Sequence, residues 1–164
     1  MINSINKSWF ENAKLSGLWL LIRVYLGWEW FHAGYEKVSG QGWVGKGAGT
    51  AITGFVNNAL TKTSGAHPDV SMWYAWFLKT FVLTHPVFWS CLVSYGEVLV
   101  GLGLIFGAFT FLAAFFGFFM NLNYLLAGTV STNPVLLILS LVIMLAGKTA
   151  GLIGLDPYIS KKFS

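Results

Sequence analysis

The chain has 164 residues, of which 55% are hydrophobic and only 10% are charged. A soluble domain carries about a quarter charged residues, so this composition excludes an ordinary globular protein and favours one whose surface meets the lipid bilayer. The net charge of +4 is spread singly rather than along a basic stripe, which argues against nucleic acid as a partner. Cys91 is the single cysteine, which excludes an internal disulfide.

Four apolar segments are predicted to cross the bilayer as α-helices, because about 20 helical residues span its hydrocarbon core. They cover residues 15–38, 86–109, 111–128 and 134–155. The residues before the first segment carry charges and no small-residue cleavage site. We therefore expect the first segment to remain as an anchor rather than to be removed as a signal peptide.

A long connection follows the first segment, and the other links are short. Within the connection, residues 50–60 favour a short helix, and residues 70–83 favour an interfacial or re-entrant helix because they are apolar but too short to span. Short links predict an antiparallel arrangement of the last three segments. The sequence therefore predicts a single domain over residues 1–164. Its fold class is an all-α integral membrane protein, a four-helix transmembrane bundle with a long, partly helical connection between spans 1 and 2.

Lysines lie on both sides of the predicted membrane. One side carries the terminal lysines Lys7, Lys14, Lys161 and Lys162. The other side carries lysines of the long connection, and long loops count less in the positive-inside rule. The pattern predicts a multi-pass protein of the cell membrane with both termini in the cytoplasm.

The first predicted span carries a polar stripe. At 100° per residue, Tyr25, Glu29, His32 and Glu36 fall within about 60° of one another on one helix face. Because a charged group that faces lipid is costly, we expect this stripe to face the bundle interior. Arg23 lies roughly 120° away, so we expect its partner on another helix.

The second and third spans add further polar groups. Glu97 falls near the middle of the second span, and Asn121 shares a helix face with Tyr124 on the third. The hypothesis is a polar pocket on the side of the long connection. Its predicted catalytic residues are Glu29, His32 and Glu97, and its predicted cofactor-binding residues are Arg23, Tyr25, Glu36, Asn121 and Tyr124.

Structural alternatives remain open for these residues. Arg23 is equally well explained by a buried ion pair with Glu29 or Glu97, and His32 by packing. The Glu29-x-x-His32 motif occurs once, whereas a di-iron bundle needs it on two helices together with two further carboxylates. A single metal ion stays an alternative, but a proton relay is chemically easier, so we predict no metal site.

Several stretches of this chain resemble the DoxX family of small bacterial and archaeal membrane proteins. They are LIRVYLGWEWFHAGYEKVSG, HPDVSMWYAWFLKTFVL, LVSYGEVLVGLGLIFGAFTFLAA, MNLNYLLAGTVSTNP and GLIGLD, and together they run in order over nearly the whole chain. The family is similar to the DoxD subunit of archaeal thiosulfate:quinone oxidoreductase. That complex passes electrons from thiosulfate to membrane quinone, with a second subunit, DoxA, alongside.

This resemblance implies a membrane component of a quinone-linked redox system, related to sulfur and thiosulfate metabolism or to oxidative stress. It implies quinone as the cofactor and a redox partner protein. A homo-oligomer is expected on the transporter alternative, because four spans are few for a transporter monomer. The chain shows no dinucleotide fingerprint or cysteine cluster, which weakens a self-sufficient enzyme. The sequence does not decide whether the chain is itself a catalytic subunit of a quinone-reducing oxidoreductase. The alternatives are a non-catalytic membrane anchor for a soluble redox enzyme and a small oligomeric transporter.

Overall fold

The structure, a computed structural model, describes Phe10 and residues 12–162. Lys7 and most of the segment before the first predicted span therefore lie outside the described residues. Within the described part of the chain there are seven α-helices and no strands, which confirms the predicted all-α class. The helices are α1 (Ser16–Ser39), α2 (Thr50–Thr61), α3 (Met72–Phe77), α4 (Pro86–Phe106), α5 (Thr110–Leu126), α6 (Asn133–Ala146) and α7 (Asp156–Lys162).

Two helices of the described chain are long and apolar enough to cross a membrane. They are α4 and the helical stretch Asn133–Gly151, in which α6 continues as a 3-10 helix. The apolar helix α5 is shorter, with 17 residues. The longest helix, α1, has 24 residues, but its polar side chains lower its hydropathy. The apolar helices fit a membrane protein, and the arrangement of four spans stays a prediction.

The helices α1 and α4 make the closest contact of the fold, through glycines. A Cβ atom at Gly34 would lie 2.6 Å from the backbone nitrogen of Val98, and one at Gly101 would lie 2.5 Å from the nitrogen of Phe31. Small residues allow two helix backbones to approach this closely. The contact brings the C-terminal half of α1 directly against the middle of α4.

Buried side chains form two clusters. The first joins α1, α4, α5 and α6 and includes Trp19, Leu26, Trp30, Leu104 and Ile143. The second lies in the long connection and includes Ile52, Val56, Tyr74, Leu78 and Val82. The helices predicted at residues 50–60 and 70–83 are α2 and α3, and α3 continues as a π-helical turn, Leu78–Val82. The connection is therefore packed against the bundle by its own apolar core.

Candidate functional site

A buried ion pair joins the end of α1 to the middle of α4. The Nζ atom of Lys37 lies 2.9 Å from Oε1 and 2.6 Å from Oε2 of Glu97. The Glu97 side chain is only 1% exposed and that of Lys37 is 19% exposed. The glycine contact explains the position of the pair, because a Cβ atom at Gly34 would lie 2.9 Å from Cβ of Glu97. Lys37, three residues further along α1, then reaches over the carboxylate.

A phenol from α5 completes this polar centre. The hydroxyl of Tyr124 donates a hydrogen bond of 2.5 Å to Oε1 of Glu97. The Tyr124 ring stacks on Trp30 with 6.4 Å between ring centroids and meets the edge of Phe55 at 6.0 Å. On the other side, Nζ of Lys37 lies 5.2 Å from the ring centroid of Trp43, within range of a cation–π interaction. Aromatic rings thus surround the Lys37–Glu97–Tyr124 centre.

The chemistry available at this centre is proton transfer. Carboxylate, ammonium and phenol are held at hydrogen-bond distance in a setting that excludes most water, where such bonds are strong. Glu97 links the other two groups, since it accepts from both of them. The partial exposure of Lys37 connects the buried carboxylate to the outside of the bundle.

Two buried side chains near the centre carry polar atoms that make no hydrogen bond within the described chain. Both amide atoms of Asn121 and the indole Nε1 of Trp30 are buried without a hydrogen-bond partner in the described chain. Asn121 lies three residues before Tyr124, on the same face of α5. Trp30 faces that same side of α5, because a Cβ atom at Gly117 would lie 2.9 Å from its Nε1. A buried amide left unpaired is costly, so these groups fit a polar ligand.

The predicted site residues are only partly brought together. Glu97 and Tyr124 meet in the polar centre, and Asn121 lies on the adjoining turn of α5. Lys37 and Trp30 are not among the site residues predicted from the sequence. One signal was present: Trp30 and Lys37 are seven residues apart, so they share the helix face that carries the glycine contact.

The expectation that the polar stripe of α1 faces the bundle interior is wrong. Tyr25, His32 and Glu36 are exposed on the outer face of α1, and Glu29 is half-buried. Nε2 of His32 lies 3.8 Å from Oε1 of Glu36, and its ring stacks on Trp28. The interior face is instead the one with glycines and large aromatics, because only that face lets α1 approach α4 closely.

Arg23 lies fully buried towards the opposite end of α1, where it binds backbone carbonyls of the segment that follows α6. Its guanidinium donates to the carbonyl of Ala150 at 3.1 Å and to that of Ile153 at 2.7 Å. The nearby carboxylate is Asp156, which accepts from the backbone N–H of Thr110 at 3.1 Å. The alternative of an ion pair between Arg23 and Glu29 or Glu97 is therefore wrong. Arg23 also lies at the opposite end of α1 from Lys37, apart from the polar centre.

No group of three or more His, Cys, Asp or Glu side chains among the described residues is arranged to hold a metal ion. The carboxylates that could join His32 of the Glu29-x-x-His32 motif lie apart from one another. His32 is exposed and pairs with Glu36, whereas Glu97 is buried and bound by Lys37 and Tyr124.

The comparison with protein families gives one match that covers most of the chain. The model of the DoxD family, described as "TQO small subunit DoxD", matches residues 18–164. No curated protein matches the chain significantly, and no solved structure does so either.

Proposed function

The chain belongs to the DoxD family, and from this premise we propose that it is the membrane subunit of a quinone-linked oxidoreductase resembling the thiosulfate:quinone system. The observation that supports this function most directly is the Lys37–Glu97–Tyr124 centre beside the unpaired groups of Asn121 and Trp30. The family implies a quinone reaction, and the centre supplies the proton-handling groups that such a reaction needs.

The residues present fit a quinone headgroup. Quinone oxygens accept hydrogen bonds, and the indole N–H of Trp30 and the amide N–H of Asn121 are buried donors without a partner in the described chain. A bound quinone supplies two-electron redox chemistry accompanied by two protons. Trp30 and Asn121 would hold it, and the flat rings of Trp30 and Tyr124 would form one wall of the site.

Protons reach the site through the ion pair. Lys37, partly exposed at the end of α1, exchanges protons with the outside and passes them to the carboxylate of Glu97. The hydroxyl of Tyr124, hydrogen-bonded to the same carboxylate, carries the proton towards Trp30 and Asn121. A positioned relay of this kind typically contributes 10²–10⁴-fold to a rate. In this proposal the electrons come from a redox partner protein, because the DoxD family supplies one subunit of a multi-protein quinone oxidoreductase.

The first test is whether quinone co-purifies with the protein. Protein extracted in a mild detergent, under conditions that retain lipids, is analysed for bound quinone by mass spectrometry. We expect about one quinone per site in the wild type and in Asn57→Ala, which changes an exposed asparagine of α2. Asn121→Ala removes the buried amide and should weaken quinone binding about tenfold, by the roughly 1.4 kcal/mol of one hydrogen bond, so its quinone content should fall below that of the wild type as detergent dilutes the free quinone.

The second test separates binding from proton transfer. Glu97→Gln keeps the shape of the side chain and removes its charge, so it should retain quinone but lose most quinone-dependent turnover in membranes that contain the partner. Circular dichroism checks that each variant remains helical. A wild-type protein without quinone, or a Glu97→Gln variant with unchanged turnover, would contradict the proposal. Either result would favour the role of a non-catalytic anchor for a soluble enzyme.

A further inference from the structure

The outer face of α1 carries a continuous seam of exposed side chains. They recur at alternating spacings of three and four residues and are Leu18, Leu21, Tyr25, Trp28, His32 and Tyr35. This 3-4 spacing is the spacing of residues that meet a neighbouring helix in left-handed helix pairs. Within the described chain no other helix covers this seam, since all six side chains are exposed.

Ionisable groups distinguish this seam from the outer faces of the other long helices. The large exposed side chains of α4, α5 and α6 are all apolar apart from Tyr95. On α1, the side chains of His32 and Glu36 are 58% and 68% exposed. Glu29, the fourteenth of 24 residues in α1, lies beside the seam near the middle of the helix. Its carboxylate has no ion-pair or hydrogen-bond partner in the described part of the chain.

Contact with lipid is unfavourable for the ionisable side chains on this face of α1. A carboxylate near the middle of a spanning helix costs roughly 2.5–3.5 kcal/mol on insertion scales, and such groups almost always face protein or a water-filled cavity. The pair between His32 and Glu36 lies within one helix, so it does not shield either group from lipid. The seam therefore requires a protein partner that offers polar groups at the same depth.

We propose that this partner is a second copy of the chain, bound through α1 about a two-fold axis along the membrane normal. This face of α1 complements itself: the seam holds hydrogen-bond donors in Tyr25, His32 and Tyr35, and the carboxylates of Glu29 and Glu36 beside it are acceptors. A two-fold axis near His32 brings the imidazole of each copy against the carboxylates of the other, one turn away on either side. The large side chains of Leu21 and Trp28 pack in the same seam. This inference uses the membrane position of α1 and is independent of quinone binding.

Disulfide cross-linking tests the geometry of the interface. In a Cys91→Ser background, Tyr25→Cys and Trp28→Cys place thiols on the seam, while Leu99→Cys and Phe119→Cys place them on the outer faces of α4 and α5. In membranes treated with a mild oxidant, we expect cross-linked dimers at the two seam positions and at least tenfold less at the two control positions. Equal cross-linking on all faces, or none on the seam, would overturn the proposal.

Dilution in lipid tests the affinity without oxidation. The protein is labelled through Ser64→Cys in the same background, and energy transfer between copies is followed as lipid vesicles dilute it. His32→Ala removes the central polar contact and should weaken dimerisation by about 5- to 30-fold, the range that a 1–2 kcal/mol interhelical hydrogen bond gives. Tyr95→Ala, on the outer face of α4, should leave dimerisation unchanged.

A monomer at all dilutions would overturn the proposal, and so would a different protein cross-linked to the seam in native membranes. These outcomes are distinguishable from a failure of the proposed function. A monomer that still holds quinone refutes only the dimer, and a dimer without quinone refutes only the redox site.

Discussion

The ion pair between Lys37 and Glu97 gives the most direct test of the structural reasoning. Replacing Lys37 by methionine removes the ammonium but keeps most of the apolar stem. The carboxylate of Glu97, 1% exposed, then loses both contacts to Nζ and keeps only the hydrogen bond from Tyr124. Removing one partner of a buried ion pair typically costs 3–5 kcal/mol, because a charge is left buried without compensation. Lys37 is partly exposed, so we expect a value near the lower limit, about 3 kcal/mol.

The assay is reversible unfolding in detergent, followed by tryptophan fluorescence, for Lys37→Met, Glu97→Gln and the double variant. The double variant removes both charges, so it should be more stable than the sum of the two single changes predicts, with a coupling of at least about 1 kcal/mol. Lys79→Met, on an exposed lysine of the π-helical turn, is the matched control and should change stability by less than about 0.5 kcal/mol. If Lys37→Met costs no more than Lys79→Met, or if the two single changes simply add, the pair does not stabilise the fold as argued.

Three further predictions concern packing, the end of the chain and pH. Gly101→Ala should destabilise the folded protein by more than about 2 kcal/mol, because the new Cβ atom would meet the backbone of α1. Its control is Gly54→Ala in α2, where a Cβ atom has nothing within 4 Å, and this change should stabilise the protein by about 0.5–1 kcal/mol. Arg23→Lys should cost about as much as Arg23→Met, roughly 3 kcal/mol, because one ammonium does not reproduce the guanidinium fork that reaches two carbonyls. Burial raises the pKa of Tyr74 to about 12. The folded protein therefore holds a proton that the unfolded chain releases near pH 10, so stability should fall as the pH rises from about 10 towards 12, and Tyr74→Phe should make this fall smaller.

The same unfolding assay at neutral pH tests the predictions for Gly101 and Arg23. For Tyr74, the assay is repeated between pH 9 and 12. A Gly101→Ala protein as stable as the wild type would contradict the close contact between α1 and α4. If Arg23→Lys is as stable as the wild type, the positive charge alone explains the role of Arg23. A pH profile of Tyr74→Phe identical to that of the wild type would show that another group titrates in this range.

The helices were predictable because their signals are local. Prolines at the first turn of α4 and α6 gave predicted starts, residues 86 and 134, within one residue of the observed ones, whereas α6 ends at Ala146, before the predicted end at residue 155. The orientation of α1 about its own axis was not predictable in the same way. Because charge avoids lipid, Glu29 and His32 are expected in the interior, but the glycines of the opposite face decide which side of α1 packs against the bundle.

Lys37 was missed for a related reason. A lysine in the last turn of a helix ordinarily reaches the headgroups. Lys37 points inward instead because Glu97, on a different helix, lies within reach of its ammonium group. That depth depends on the register between α1 and α4, which the glycine contact sets. Glu97 itself was predictable, because a carboxylate in the middle of an otherwise apolar helix requires a partner.

The contacts of Arg23 have a consequence for how the protein is made. Its carbonyl partners come 127 and 130 residues later in the chain. At about 5–20 residues per second, the ribosome needs roughly 6 to 25 s to add them after the arginine has been synthesised. During that time the guanidinium of Arg23 lacks its final partners, so α1 reaches its final packing only after the segment with these carbonyls has been made. Nascent chains that stop before residue 150 should accordingly be degraded faster than the full-length chain.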